Sequence, residues 1–321
     1  MRETEYAYAI ARIRANELKM LGAQDLERLI SAESYDAAVR ILTDKGWAQP
    51  DANSAYDICE AELESAWQFI SESVPDSSLL EAVIIGNDFA NLKAAIKAKF
   101  SNHPLESYMT VPCVCPVEKI IKAVDEGEFA DLPDHLKDCA YEAYHAYTEK
   151  QSGQLTEIII DKACAAYKLS CADKAQSSLL KEIHTLTAAV SDIKTARRCV
   201  STGKTKQFAL DAVSGSGKLD ASALVNAAYD NKGLAEAVKA SGLEELAEYA
   251  DGDFTLLEMY CDNLITKKAK EYKHEVFGPD AAVAYYYGKL AEIKNVRIIL
   301  SAKASGVPDS VISQRVRELY V

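Results

Sequence analysis

The amino-acid sequence predicts an all-α protein built from three diverged copies of one helical unit, and three observations support this prediction. Apolar residues recur at helical spacing along the chain, whereas strand-like alternation is almost absent. A pattern of acid, Asn or Thr, and base appears three times, at intervals of 104 and 100 residues. An earlier Asp precedes each pattern by 30 or 31 residues. We therefore predict three helical repeat domains in tandem, at residues 1–110, 111–210 and 211–321.

The repeated pattern begins at Asp88, Asp192 and Glu292. In each copy, Asn or Thr follows three residues later, and Lys or Arg follows five residues later. Apolar neighbours such as Ile293 and Val296 recur at spacings that place them on one face of a helix. The pattern is therefore predicted to lie on a helix in every copy.

Start and stop signals delimit these helices. Pro75 and Pro279, each followed by Asp, stand 13 residues before the acid of their copy, where Pro and a capping residue favour a helix start. Gly306 and Pro308 mark an end. A helix from Pro279 to Ala304 would be about 38 Å long. Each copy is thus predicted to be a hairpin in which a helix carrying the earlier Asp leads into a longer helix.

Helical segments are also predicted between the hairpins. The stretches from Asp25 to Leu42, Val117 to Leu136 and Ala221 to Ala240 share apolar residues at helical spacing. We assign one of these stretches to each copy as its second half.

The acid and base of one pattern lie five residues apart, about 140° around a helix, so they do not face each other. We therefore predict that each base pairs across its hairpin with the earlier Asp. The predicted pairs are Asp57 with Lys93, Asp161 with Arg197, and Asp262 with Arg297. The alternative is that each of these side chains faces water.

Composition limits the classes of function. The 321 residues include 36 Lys and Arg against 49 Asp and Glu, a net charge of −13. Nucleic-acid binding depends on Lys and Arg that neutralise phosphates, so this balance disfavours it. We find no signal peptide, and no apolar run approaches the roughly 20 residues that span a bilayer. The eight Cys lie mostly inside helical patterns, which predicts reduced thiols in a cytoplasmic protein.

Two short motifs suggest ligand sites that the rest of the chain does not complete. Gly215-Ser216-Gly217-Lys218 resembles a phosphate-binding loop, but Ala212 and Leu219 stand where that motif needs Gly and Ser or Thr. Cys113-Val114-Cys115 has no second close Cys pair, and a closed zinc site needs four ligands. No nucleophile with a base is recognisable. We therefore predict no catalytic residue, no cofactor, no metal and no direct nucleotide binding.

Charge is distributed unevenly along the chain. Residues 254–321 contain ten Lys or Arg and eight Asp or Glu, whereas the rest of the chain is strongly acidic. Such asymmetry indicates that different regions meet different partners. The candidate partner contact is the basic run of Lys267, Lys268 and Lys270, for which a solvated helix face is the alternative.

Several segments resemble one protein family. The runs HEVFGPD from His274, AEIKNVRIIL from Ala291 and RVRELYV from Arg315 are similar to the C-terminal part of the C subunit of V-type and archaeal A-type ATPases. The eukaryotic counterpart is the d subunit of the V-type ATPase. The run YAIARIR from Tyr8 resembles the start of the same protein. The resemblance covers essentially the whole chain, including its length and threefold repeat.

The resemblance implies a funnel of three similar helical domains that sits on the membrane rotor ring and holds the tip of the central stalk. It implies a peripheral subunit on the cytoplasmic side, monomeric alone and present once per complex, which links ATP turnover to H⁺ or Na⁺ transport. That subunit has no known catalytic residues to carry over.

Two alternatives come from other classes of protein. The first is a free-standing helical scaffold that binds an unrelated protein. Solenoid scaffolds repeat every 20–50 residues or so, whereas the period here is near 100 residues. The second is a helical enzyme, which the missing catalytic constellation disfavours.

Overall fold

A computed structural model describes residues 6–47, 54–101, 109–230 and 232–321. This part of the chain is all helical, which confirms the predicted fold class. None of the helices described is long and apolar enough to cross a membrane. The boundaries between the three domains and the funnel arrangement stay predictions.

The helices are numbered in chain order. The first five are α1 (Ala7–Glu17), α2 (Ala23–Ile30), α3 (Tyr35–Asp44), α4 (Ala55–Ser73) and α5 (Ser77–Ser101). The next five are α6 (Val117–Glu126), α7 (Asp134–Lys150), α8 (Gly153–Lys174), α9 (Ser178–Ser201) and α10 (Lys206–Ala212). The last six are α11 (Ala221–Tyr229), α12 (Ala235–Ala240), α13 (Glu244–Ala247), α14 (Phe254–Glu271), α15 (Asp280–Ala304) and α16 (Asp309–Ser313).

In each copy a helix that carries the earlier Asp is followed by a longer helix, as predicted: α4 and α5, α8 and α9, and α14 and α15. Of these pairs, α8 and α9 pack against each other in the second unit. The third long helix begins directly after Pro279 and ends at Ala304, as predicted. In the second copy, Ser177 is the N-cap, and its hydroxyl accepts a hydrogen bond from the Leu180 N–H at 3.1 Å.

The segments between these pairs of helices are each broken into two or more helices. The first contains α2 and α3, and the second contains α6 and the start of α7. Ser34 caps α3 by accepting from the Ala37 N–H at 3.1 Å. Gly127 ends α6 in a left-handed conformation, which Gly adopts without the steric cost of a Cβ. These local start and stop signals interrupt a hydrophobic pattern that looks continuous in the sequence.

The chain divides into two compact units. The first unit combines Met1–Ser77 with Glu258–Val321, and the second unit is Ser78–Leu257. The first unit therefore joins segments from opposite ends of the sequence. One of its core clusters contains Leu21, Leu42 and Ile58 from the beginning of the chain and Val296 and Leu300 from α15.

Helix packing within the second unit centres on α8 and α9. The pairs α7 with α8 and α8 with α9 pack along their lengths, and α9 also contacts α10 and α11. Leu179, Leu180, Ile183 and Ile193 on α9 are almost completely buried. The long helix of the second copy therefore lies in the core of its unit, with its repeated acid facing inward.

Candidate functional site

The three repeated acids are buried. The exposed fractions of Asp88, Asp192 and Glu292 are 0%, 2% and 0%. A buried carboxylate is stable only when it is hydrogen-bonded or paired with a cation. We call these three residues the carboxylate anchors, because each one holds another segment of the chain.

The first carboxylate anchor, Asp88 on α5, binds the segment just before α6. Its Oδ1 accepts from the Val114 N–H at 2.8 Å, and its Oδ2 accepts from the Cys115 N–H at 2.9 Å. The Nε2 of His135 lies 2.8 Å from the same Oδ2. The Cys113-Val114-Cys115 motif is therefore the backbone partner of a carboxylate.

The second anchor, Asp192 on α9, binds the loop before α11. It accepts from the Ser214 N–H at 2.6 Å, the Ser214 hydroxyl at 2.9 Å and the Gly215 N–H at 3.1 Å. Burial raises the pKa of Asp192, whereas these hydrogen bonds act to lower it. The glycine-containing loop that resembles a phosphate site thus gives two of its amides to a carboxylate of the same chain.

The third anchor, Glu292 on α15, binds the segment before α2. Its Oε2 accepts from the Leu21 N–H at 3.0 Å. Its Oε1 lies 2.7 Å from the Nζ of Lys289, which also pairs with Glu62 at 2.6 Å. Burial alone would lower the pKa of Lys289, but the carboxylates of Glu292 and Glu62 hold it above its ordinary value.

The repeated Asn adds a second contact in two copies. Asn91 exchanges two hydrogen bonds with the backbone of Thr110, at 2.9 Å and 2.7 Å. Asn295 makes the same pair with the backbone of Arg317, also at 2.9 Å and 2.7 Å. Thr195 makes no such pair with any residue that the structure describes, because its donor and acceptor are on one oxygen, whereas an amide carries them on two separate atoms.

The carboxylate anchors follow a cyclic order. The anchor of the first copy holds the start of the second copy, and the anchor of the second copy holds the start of the third. The anchor of the third copy holds the start of the first, through Leu21. Each buried carboxylate thus fastens its long helix to another segment of the chain.

The predicted pairs of acid and base are wrong. Lys93 forms an ion pair with Asp161, the acid of the second copy, and not with the acid of its own copy. Arg197 donates to the backbone carbonyls of Ala250 and Gly252. Each of these two bases contacts residues of the copy that follows its own in the sequence. The prediction had paired each base with the earlier Asp of its own copy.

Arg297, Asp262 and Asp57 also have partners other than the predicted ones. Arg297 pairs with Glu60 on α4 at 3.1 Å, whereas Asp262 pairs with Lys294 at 2.5 Å and Arg317 at 3.0 Å. Asp57 accepts from the hydroxyl of Ser54 at 2.9 Å within its own helix cap. Most of these contacts are partly exposed, so they contribute less than the buried anchors.

The basic run Lys267, Lys268 and Lys270 lies in the last turns of α14. Lys268 approaches Glu271 at 3.7 Å, and Lys270 approaches Glu318 at 3.9 Å. Lys267 and Lys270 are exposed at the surface. The run therefore combines local charge pairs with basic side chains that are accessible to solvent.

Among the described residues, no group of three His, Cys, Asp or Glu side chains is placed to hold a metal ion. The anchors are used by the chain itself, since their oxygens accept from backbone amides and from Lys or His. The three carboxylate anchors therefore have a structural role.

The fold and these sites define an all-helical protein in which three repeated acids are buried and each holds another segment of the chain. The chain belongs to the ATP synthase (C/AC39) subunit family, whose match covers residues 9–315. It is 22% identical to the C subunit of the V-type sodium ATPase of Enterococcus hirae over 96% of this chain and 97% of that protein. It is 23% identical to the C subunit of the A-type ATP synthase of Thermococcus kodakarensis over 98% of this chain and 91% of that protein.

Proposed function

We propose that this protein is the non-catalytic adaptor between the central rotor shaft and the membrane rotor ring of a rotary V-type or A-type ATPase. In this role it is one peripheral subunit per complex, monomeric alone, on the cytoplasmic side of the membrane. It passes torque between ATP hydrolysis or synthesis and the transport of H⁺ or Na⁺. It has no active site of its own.

The cyclic order of the carboxylate anchors is the observation that carries this proposal. An adaptor that transmits torque needs copies that do not slide or separate under load. A buried carboxylate that loses its partners is strongly penalised, so each anchor resists separation of the two segments that it joins. The full-length similarity to the C subunits of a sodium ATPase and of an ATP synthase supports the same role.

Affinity capture tests the proposal. Tagged full-length protein is expressed in its own cells, membranes are solubilised in mild detergent, and the co-purifying subunits are identified by mass spectrometry. We expect stalk and ring subunits of a rotary ATPase at a constant ratio to the bait. Recovery of unrelated proteins alone would instead favour the helical scaffold.

The basic run offers a test of one contact. Changing Lys267, Lys268 and Lys270 together to Gln is expected to weaken capture of one partner, with a stronger effect at low salt. A matched triple change of the exposed Lys218, Lys232 and Lys239 controls for net charge. Equal capture by both variants would remove the basic run as a partner contact.

A further inference from the structure

Two large apolar side chains are exposed next to each other between α14 and α15. Val276 is 62% exposed, and Phe277 is 50% exposed. Both lie in the connection formed by residues 272–279, which joins the two helices of the third copy. Exposed apolar residues that are scattered singly need no explanation, but neighbouring ones indicate a surface that meets a partner.

The other two copies show that the fold itself does not require such a connection. The corresponding connections, residues 74–76 and 175–177, have three residues each, whereas residues 272–279 make a connection of eight. The apolar residue that directly follows the shorter helix in those copies, Val74 or Ala175, is only 6% or 2% exposed. The longer connection and its exposed apolar pair are therefore a property of the third copy alone.

The connection is braced by Arg14 on α1. The Nη2 of Arg14 donates to the backbone carbonyls of Tyr272 at 3.3 Å and of Glu275 at 3.0 Å. The N–H of Glu275 also donates to the carbonyl of Tyr272, at 3.1 Å. Hydrogen bonds from a guanidinium are stronger than those between neutral groups. The apolar pair directly follows this braced turn, and a preformed surface loses less entropy when it binds.

Positive charge is concentrated at the same connection. The last five residues of α14 and the connection, residues 267–279, carry a net charge of +2 in a protein whose total is −13. The corresponding stretches of the first and second copies, residues 69–76 and 170–177, carry −2 and 0. The basic residues of this stretch are Lys267, Lys268, Lys270 and Lys273.

Three acids near these lysines offset part of their charge. Glu271 lies 3.7 Å from the Nζ of Lys268, and Glu318 lies 3.9 Å from the Nζ of Lys270. Ion pairs as long and as exposed as these are weak. One carboxyl oxygen of Glu275, Oε2, is buried, and burial raises the pKa of this group. The lysines therefore remain able to interact with a negatively charged surface.

We propose that the connection between α14 and α15 binds an anionic lipid bilayer. Val276 and Phe277 insert among the headgroups, and the four lysines of residues 267–279 contact the lipid phosphates. This inference goes beyond the proposed function, which concerns protein partners only. It adds a direct contact of the protein with the lipid of the membrane that carries those partners.

A bilayer is the partner that the combination of these residues favours. Aromatic and aliphatic side chains enter the boundary between headgroups and acyl chains, and anionic lipids attract nearby lysines. Clusters of roughly four to eight basic residues are typical of such contacts. An acidic protein surface would explain the lysines alone, and an apolar protein pocket would explain the apolar pair alone.

Combining Val276→Ser with Phe277→Ser gives the direct test. Binding of the full-length protein is measured by sedimentation with vesicles that contain equal amounts of phosphatidylcholine and phosphatidylglycerol, and with vesicles of phosphatidylcholine alone. We expect the wild-type protein to prefer the anionic vesicles and the double change to weaken that binding about 10-fold or more. Tyr56→Ser with Leu256→Ser is the matched control, since these side chains are also exposed and lie at the starts of α4 and α14.

Changing Lys267, Lys268 and Lys270 together to Gln tests the charge. We expect binding to anionic vesicles to weaken about 10-fold or more at low salt and the difference from wild type to shrink as salt is added. The triple lysine variant described above as a control for net charge serves the same purpose here. Equal weakening by both triple variants would contradict the inference, because it would show that only the net charge of the protein matters.

Phe277→Trp tests insertion itself, because a purely electrostatic contact would leave this ring in water. Anionic vesicles should shift the added tryptophan emission to shorter wavelength, and brominated lipid should quench it. The wild-type protein, which contains Trp47 and Trp67, supplies the background signal. Unchanged emission from vesicle-bound Phe277→Trp would overturn the proposed insertion.

Other results would also overturn the inference. One is equal binding of the Val276→Ser and Phe277→Ser double variant and its control to anionic vesicles, and another is a wild-type protein that binds neither kind of vesicle. If the double variant binds vesicles normally but fails to capture ATPase subunits from detergent, the connection contacts a protein instead of lipid. The vesicles contain no protein, so these results do not depend on the adaptor role, which the affinity capture tests separately.

Discussion

The carboxylate anchors of the second and third copies both bind backbone amides, but their other partners differ. Asp192 binds amides of a loop that lies 22 and 23 residues further along the chain. Glu292 binds the amide of Leu21, which is 271 residues away, and it is also part of a buried triad with Lys289 and Glu62.

Sequence separation explains the difference. The entropy of closing a loop rises with the logarithm of its length, so the contact over the long separation costs about 2 kcal/mol more than the short one. In the third copy, where the two joined segments are far apart in the sequence, the anchor has the longer Glu side chain and an additional ion pair with Lys289. The first unit, which joins the two ends of the sequence, is therefore expected to depend on its anchor more than the second unit does.

Lys289→Met should have the largest effect and tests this dependence directly. It leaves Glu62 and Glu292 without their shared cation, and breaking a buried charge pair from one side costs about 3–5 kcal/mol. Both tryptophans, Trp47 and Trp67, lie in the first unit, so urea unfolding followed by tryptophan fluorescence reports on that unit. We expect the urea concentration at the midpoint of this unfolding transition to fall sharply.

Lys294→Met is the matched control for that change. Lys294 also pairs with an acid, Asp262, but its side chain is 45% exposed. Exposed ion pairs contribute about 0–1 kcal/mol. If both variants lower the midpoint equally, burial is not what makes the third anchor strong, and the comparison between the copies fails.

Gly288→Ala should have the second largest effect and probes how the end of the chain joins the first unit. A Cβ at Gly288 would lie 2.6 Å from Cγ of Tyr320, which is too close for any real contact. Tyr320 is 1% exposed and donates to Glu17 at 2.8 Å. Overpacking of this kind costs about 1–3 kcal/mol.

The expected result for Gly288→Ala is displacement of the last residues, seen as faster digestion by carboxypeptidase. Gly306→Ala, at a helix end where nothing lies within 4 Å, controls for the general effect of replacing glycine. Its positive φ carries a strain penalty, but Tyr320 is not involved. Equal protection of the C-terminus in both variants would show that the close contact at Gly288 does not hold the end in place.

The sequence predicts the helices that carry the repeated residues but not what those residues touch. The pattern of acid and Asn or Thr places all three anchors on long helices, and the structure confirms the third of these from Pro279 to Ala304. The partners are backbone amides in loops, such as Cys115 and Gly215. A backbone amide is present at almost every residue, so it leaves no signal in the sequence.

The error in the predicted pairs has a related cause. Spacing within a hairpin does not say whether a base meets its own copy or the next one, and Lys93 meets Asp161 of the next copy. One signal was available for the third anchor. Lys289 stands three residues before Glu292 on the apolar face of α15, where the other copies have Ile85 and Ala189. A Lys in such a place indicates a buried charge pair.

Acid is expected to destabilise the second unit through His184, which gives the smallest of these effects. The side chain is 2% exposed, and burial, with Lys168, lowers its pKa from 6.5 to about 3. Its Nδ1 lies 2.9 Å from the carbonyl oxygen of Lys168, so Nδ1 carries the hydrogen of the neutral ring. Below pH 6.5 the imidazole of His184 binds a proton in the unfolded chain but stays neutral in the folded chain.

Between pH 7.5 and pH 5 this linkage should remove about 2 kcal/mol of stability, with further loss as the pH falls toward about 3. Hydrogen exchange of peptides from α9 measures the change within the second unit, and tryptophan fluorescence follows the first unit in the same samples. His184→Asn keeps a donor for the Lys168 carbonyl and removes the titration, so its exchange should respond less to pH. An equal response in both proteins would mean that another group controls the acid sensitivity of the second unit.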